Sequence, residues 1–340
     1  MVFGPRPKQP AMQIKHASFA LAALLTAACN STPNGPDPEQ QLKLHREFAQ
    51  TYFEANQLVQ AEQQADLGLA LDPRDDGLLL IKAWTHQKRG TADDVLYAEK
   101  LFRDLGDEDY RATLGLAEAL ERKGVLYWES ADAVAAGKRA TKATDRAKRA
   151  AEMRVEAQGF WEESTSVYEH TLELKSGSIQ AMNGLQRVCA LRGDLAKSLE
   201  WSNALLAQSA KEIDFWRNEL KRADLRASEE AEFRRMLAGS SRLLIETHLQ
   251  ASTALVGLGR KEDALPHLDL ALDMAPEKAD VYCRRAQLQH ELGRFAQARD
   301  DLKLFLKLSS LPIEDPTMQK ALDLLAQCER ALSGVSAAKH

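Results

Sequence analysis

Gly259 and Gly293 stand 34 residues apart in a stretch where nearly everything else repeats with them. Ala264 and Ala298 keep the same spacing, and residues 251–304 read as one helical hairpin written twice. Each glycine ends a helix in a turn that favours left-handed backbone, and each alanine lets the next helix pack closely. A fixed period of this length with helix–turn–helix content marks a stacked-repeat architecture, in which each unit buries its apolar face against its neighbours. Stepped along the chain, the frame puts turns at Asn56, Gly90, Gly124, Gly159, Gly193, near Ala227, and at Gly259 and Gly293. The gaps are 34, 34, 35, 34, 34, 32 and 34 residues. This regularity predicts about eight helix pairs, and the dominance of Ala, Leu, Glu, Arg and Gln agrees with helix throughout.

The spacing and residue types resemble the tetratricopeptide repeat (TPR) family. The resemblance implies an all-α fold, a right-handed α-solenoid of about eight TPR-like hairpins over residues 42–312 with a C-terminal capping helix over 313–333. In the first pair, Ala49, Tyr52, Ala61, Leu69 and Leu71 occupy the family's small and apolar sites, and Asp72-Pro73 closes the unit. Proline there fixes φ and stops the second helix. Residues 76–105 form the second pair, and Leu114, Leu116, Ala117 and Leu120 open the third. The pattern diverges at 126–158, where Glu129 stands at an expected Ala, and again at 211–240. The latter stretch reads either as a worn pair or as one long irregular helix. Pro276 and Pro312 close the last two units; Met318, Leu322, Leu325 and Cys328 give the terminal helix one apolar side. That helix covers the face the last repeat would otherwise leave wet. Residues 334–340 read as a frayed tail.

The N-terminal segment is organised differently. A short basic lead ending at Lys15 precedes an apolar run from Ala17 to Leu25, then Thr26, Ala27, Ala28 and Cys29. The run is too short for a permanent membrane helix, so residues 1–28 read as a secretory signal peptide, with Met12 an alternative start. Its ending, LTAAC, resembles the bacterial lipobox, with Thr26 where Leu is more common. The resemblance implies cleavage before Cys29 and lipidation of that residue. Residues 29–41, rich in Pro, Asn and Gly, read as a flexible tether. By resemblance to enterobacterial lipoproteins, Asn30 after the Cys implies outer-membrane sorting: a lipid-anchored protein of the bacterial cell envelope, facing the periplasm.

Reactive chemistry leaves little trace. The four cysteines, Cys29, Cys189, Cys283 and Cys328, form no C-x-x-C pair, and Cys189 and Cys283 lie in helical runs as small buried thiols. Phosphate-loop, metalloprotease, nucleophile-elbow and EF-hand patterns do not occur. The histidines at 45, 86, 170, 248, 267 and 290 are scattered about one per helix, and His248 reads as packing or surface. Asp107-Glu108-Asp109 reads as a solvated turn, and Glu229-Glu230 as an acidic first helical turn. No cofactor or metal follows, and the reading is that of a protein that is not an enzyme. With a net charge of −5 and no aromatics among the basic run Lys138, Arg139, Lys142, Arg146, Lys148 and Arg149, nucleic acid is not an expected partner. For that run, lipid headgroup contact and a plain solvated face remain the readings.

In a TPR solenoid the first helix of each pair lines a concave groove. Assigned by that resemblance, the groove carries Arg46, Gln50 and Trp84 near its start. Arg149, Asn183, Arg187, Arg217, Asn218 and Lys221 follow in the middle, with Arg284 and Gln287 near its end. Asn with Arg or Lys one turn apart suits a peptide backbone plus an acidic side chain or free carboxylate. The family's carboxylate-clamp pattern is not reproduced, and an ordinary charged helix surface is the alternative. The whole implies a non-catalytic protein–protein interaction scaffold, lipid-anchored and acting in envelope assembly or secretion, similar in architecture to the pilotin class of TPR lipoproteins. A soluble TPR chaperone adaptor, an accessory subunit of an envelope enzyme and a purely structural spacer are the rival readings.

Overall fold

The computed structural model describes residues 37–139 and 145–337, so the signal segment, Cys29 and Lys142 lie outside the described residues. Among these residues there are thirteen helices and no strand. The chain divides between Gly90 and Thr91 into two compact units. The boundary falls inside the expected second pair, at a left-handed glycine that caps one helix, followed by Thr91, whose hydroxyl caps the next.

The first unit holds α1 (Pro38–Glu54), α2 (Leu58–Leu71) and α3 (Asp76–Arg89). The first helix starts at Pro38, ahead of the expected Leu42, because Asp37 accepts from Glu39 N while Pro38 occupies the first helical position. Proline loses nothing there, since that N–H has no intrahelical partner. Ala49, Ala65, Leu78 and Ile81 form the core, with Leu42, Phe53 and Leu69 against it.

The second unit runs α4 (Ala92–Asp104), α5 (Tyr110–Ala135), α6 (Arg146–Leu174), α7 (Ile179–Leu191), α8 (Leu195–Glu219), α9 (Ala227–Gly257), α10 (Lys261–Met274), α11 (Ala279–Glu291), α12 (Phe295–Leu308) and α13 (Pro316–Ala337). Each helix packs on its chain neighbours, and α5 with α7 and α11 with α13 also meet as next neighbours. This stacking is that of an α-solenoid. The terminal helix lays Met318, Ala321 and Cys328 against Ala286, Ala298, Leu302 and Phe305, and its backbone stays helical to Ala337, beyond the expected fraying point.

The turn frame is realised at five of its eight positions. Asn56, Gly90, Gly193, Gly259 and Gly293 all have positive φ. At four of them the same closure recurs: Gln57, Asp194, Arg260 and Arg294 donate their N–H to Tyr52, Cys189, Leu255 and Gln289 carbonyls at 2.8–2.9 Å. This long-range closure of the last turn is the Schellman motif.

Gly124 and Gly159, expected as turns, lie inside α5 and α6, and Ala227 opens α9. The eight-pair frame is thus built with fewer, longer helices through its middle, and the real turns there fall at Gly106, Gly137 and Gly177. Gly124 serves packing: a β-carbon on it would lie 2.3 Å from Trp161 Nε1. The indole is buried and donates to the Glu121 carbonyl at 3.2 Å. Gly115 and Gly184 make the same kind of space for the rings of Phe102 and Tyr168. Residues 211–240 are not one irregular helix: α8 ends at Glu219, and α9 starts after a turn and packs back along it.

Candidate functional site

In the middle of the second unit, α5 and α7 bring together charges far apart in sequence. Arg187 on α7 donates to both Glu121 carboxylate oxygens on α5, at 2.7 and 2.8 Å, and Tyr168 on α6 adds its hydroxyl at 2.7 Å. Burial works against the Arg187 charge, but the bonds to Glu121 outweigh it and hold the guanidinium firmly protonated. Burial and then the Glu121 charge push the Tyr168 phenol well up. One turn before Glu121, the half-buried Glu118 carboxyl is raised to about 7 by burial, with Arg187 opposing and Glu121 adding to the rise. Arg187, expected to meet an acidic ligand, is thus already held by an internal carboxylate. Asn183 stands one turn before it, half-buried on α7.

The other expected groove residues lie as follows. Arg46 pairs with Asp75, the buried N-cap of α3, and Gln50 donates to Glu54 in its own helix at 2.6 Å. Trp84 is half-buried on α3. Arg149 bonds Glu156 at 3.1 Å and Glu152 at 3.4 Å within α6. Arg217 and Asn218 sit on the last turn of α8, with Lys221 just past it, so these three do not lie on the first helix of a pair. Lys221 donates to Asn218 at 3.1 Å, and Arg217 lies 3.8 Å from Asp214.

Arg284 and Gln287 share one cleft. Its volume is about 250 Å³, between α9 (Leu249, Ser252, Val256) and α11, with Leu268 of α10 also lining it. Both side chains are exposed, and Arg284 has no ion pair or hydrogen bond among the described residues. Glu291, on the same wall, is engaged by Lys261 at 2.9 Å, which leaves Arg284 as the uncompensated charge of the cleft. The neighbouring Arg285 points elsewhere: it grips Asp301 through two bonds of 2.7 Å and reaches Asp269 at 2.7 Å, tying α11 to α12 and α10. An unpaired guanidinium, an amide and an apolar wall suit an extended segment carrying a carboxylate.

His248 and His267, each next in sequence to a cleft-lining leucine, join α9 to α10 through an Nδ1–Nδ1 hydrogen bond of 2.9 Å. Burial, then the His267 ring, lower His248 to about 4, and burial lowers His267. His248 is therefore a packing residue. Cys189, Cys283 and Cys328 are free and buried, with burial raising each thiol. Among the described residues no group of three or more His, Cys, Asp or Glu is placed to hold a metal ion, and no helix is long and apolar enough to cross a membrane.

Glu118 and Glu121 are not among the groove residues expected from the sequence. The two glutamates lie on the first helix of the third expected pair, so the frame that selected Arg187 also reaches them; what it lacked was the pairing across 66 residues.

The tetratricopeptide repeat family model matches residues 279–310, which span α11 and α12. Protein STIP1 homolog of Dictyostelium discoideum is 31% identical over 83 residues, 24% of this chain and 14% of that protein. Peptidyl-prolyl cis-trans isomerase FKBP42 of Arabidopsis thaliana is 31% identical over 85 residues, 25% of this chain and 22% of that protein. The chain therefore matches less than a quarter of the length of either relative. Among solved structures, the assembly chaperone of RpL4 (Acl4) aligns at 20% identity over 76% of this chain and 87% of its own, with a TM-score of 0.46. A thermophilic TPR protein of Thermus thermophilus aligns at 18% identity over 74% of this chain and 98% of its own, with a TM-score of 0.42. Residues 279–310, one wall of the Arg284 cleft included, are thus the part of the chain that is similar to a tetratricopeptide repeat.

Proposed function

We propose that this chain is a non-catalytic interaction scaffold that binds a protein or peptide through the cleft between α9 and α11. The observation that carries this reading is Arg284: a cation with no partner among the described residues, beside Gln287 and an apolar wall, inside the matched segment. The ligand it suits is an acidic side chain or a chain-terminal carboxylate on an extended segment. The lipobox-like ending at Cys29 supports a second element of the proposal, a lipid anchor that holds the scaffold at the bacterial outer membrane, facing the periplasm. Anchoring raises the effective concentration of membrane-bound partners without any new contact. Envelope assembly or secretion is the setting that suits such a scaffold.

Panning the full chain against random peptides with free or amidated C-termini tests the binding. The proposal expects enrichment of acidic or free-carboxylate sequences and their loss in Arg284→Glu. Equal enrichment of amidated neutral peptides by both proteins would contradict it. Palmitate labelling of wild type and Cys29→Ala tests the anchor, and equal labelling would rule it out.

A further inference from the structure

Of the basic run at 138–149 only Arg149 is assigned to the groove, yet Arg139 and Arg149 both line a cavity of about 320 Å³ elsewhere in the second unit. That cavity exists because α5 does not turn at Gly124 but continues to Ala135, leaving its second half standing over the start of α4. Val95 and Leu96 of α4, Leu126 and Tyr127 of α5 and Met153 of α6 give it an apolar lining. Leu96 is 49% exposed, so this lining opens to solvent. Lys123, Arg139 and Arg149 supply three cations at the rim.

These cations are not equivalent. Lys123 is engaged by Glu99 at 2.7 Å, and Arg149 by Glu152 and Glu156. Arg139 has no carboxylate partner among the described residues; its guanidinium donates only to the Ser130 hydroxyl, which lines the same cavity. An apolar slot with one unneutralised guanidinium and a hydroxyl at its mouth is complementary to a molecule with an apolar body and a single anionic end. A neutral ligand would leave Arg139 unused, and a cationic end would be repelled by the unneutralised Arg139.

We propose that this cavity binds a free single-chain anionic amphiphile, its carboxylate on Arg139 and Ser130 and its hydrocarbon among Val95, Leu126 and Met153. The site is separate from the Arg284 cleft and does not depend on the partner-binding reading.

Calorimetric titration of the full chain with decanoate, decanol and decyltrimethylammonium tests it, alongside sedimentation with phosphatidylglycerol vesicles. Decanoate is expected to bind about tenfold more tightly than decanol, the cation not at all. Arg139→Glu removes the preference for decanoate over decanol. Leu96→Trp, at a position exposed enough to accept the ring without unfolding the chain, blocks the slot and abolishes decanoate binding. Circular dichroism identical to wild type in Leu96→Trp makes that loss specific. Equal affinity for decanoate and decanol, or no decanoate binding, would overturn the proposal. Retention on vesicles without decanoate binding would assign the basic rim to a bilayer surface and overturn it equally.

Discussion

Arg187 on α7 clasps Glu121 on α5 through two parallel hydrogen bonds, and the Tyr168 hydroxyl of α6 closes on the same carboxylate. Three helices are thereby pinned at one point. Removing one partner leaves the others short of a bond in a poorly solvated place, which costs more than the pair itself contributes. Arg187 keeps 40% of its side-chain exposure, so solvent screens part of the effect. Glu121→Gln is expected to lower stability by about 1–2 kcal/mol, and a double-mutant cycle with Arg187→Met to give a coupling of about 1 kcal/mol. Urea titration of the four proteins reads both.

Glu118 works in the opposite direction. Its folded-state pKa of about 7 lies above the ordinary 4.5, so the folded chain holds this proton more tightly than the unfolded one. The associated stability is complete below pH 4.5 and is lost as pH rises through about 7. Glu118→Gln, which never ionises, should therefore be more stable than wild type at pH 8 by about 2 kcal/mol, and near parity at pH 4.5. Urea midpoints at the two pH values decide it, and an equal difference at both would show that Glu118 does not titrate near neutrality.

The His248–His267 contact predicts an acid weakness. His248 titrates at about 4 in the fold against an ordinary 6.5, so stability is held above pH 6.5 and drains away as pH falls toward 4. Protonating both rings also sets two N–H groups face to face. The loss amounts to about 3 kcal/mol across that window. His248→Gln should flatten this limb of the stability–pH curve. An unchanged limb would place the acid sensitivity elsewhere.

Gly124 and Gly159 form a matched pair of tests. Both lie inside helices, but a methyl on Gly124 meets the Trp161 indole while one on Gly159 meets nothing within 4 Å. Gly124→Ala should cost about 1–3 kcal/mol through overpacking. Gly159→Ala should stabilise by about 0.5–1 kcal/mol, since alanine has less freedom to lose in a helix. Thermal melts of the two variants are expected to shift in opposite directions.

The same two glycines mark how far the sequence could be read. A 34-residue step locates Asn56, Gly90, Gly193, Gly259 and Gly293 as helix ends because only residues tolerant of left-handed backbone stand there. It misplaces Gly124 and Gly159 because glycine also serves where a large ring needs room. That second use depends on Trp161, 37 residues past Gly124, and leaves no local signal. The divergence at 126–158 is therefore helix lengthening, and the lengthened α5 and α6 create the cavity beside Arg139. Arg284 and Gln287, assigned to the groove from the repeat resemblance, meet in one cleft because they sit one turn apart on a single helix. Arg187 was legible as an exposed-face cation but not as one already bound, since its partner comes from another hairpin.

The most direct test of the account is a photo-crosslinking amino acid placed at Gln287 in the full chain, expressed in its own cells, with the same substitution at the exposed Leu270 of α10 as control. The account predicts a discrete crosslinked species from position 287 that disappears when Arg284→Glu is added, and none from position 270. Crosslinks equal at both positions, or a species at 287 that survives Arg284→Glu, would contradict it.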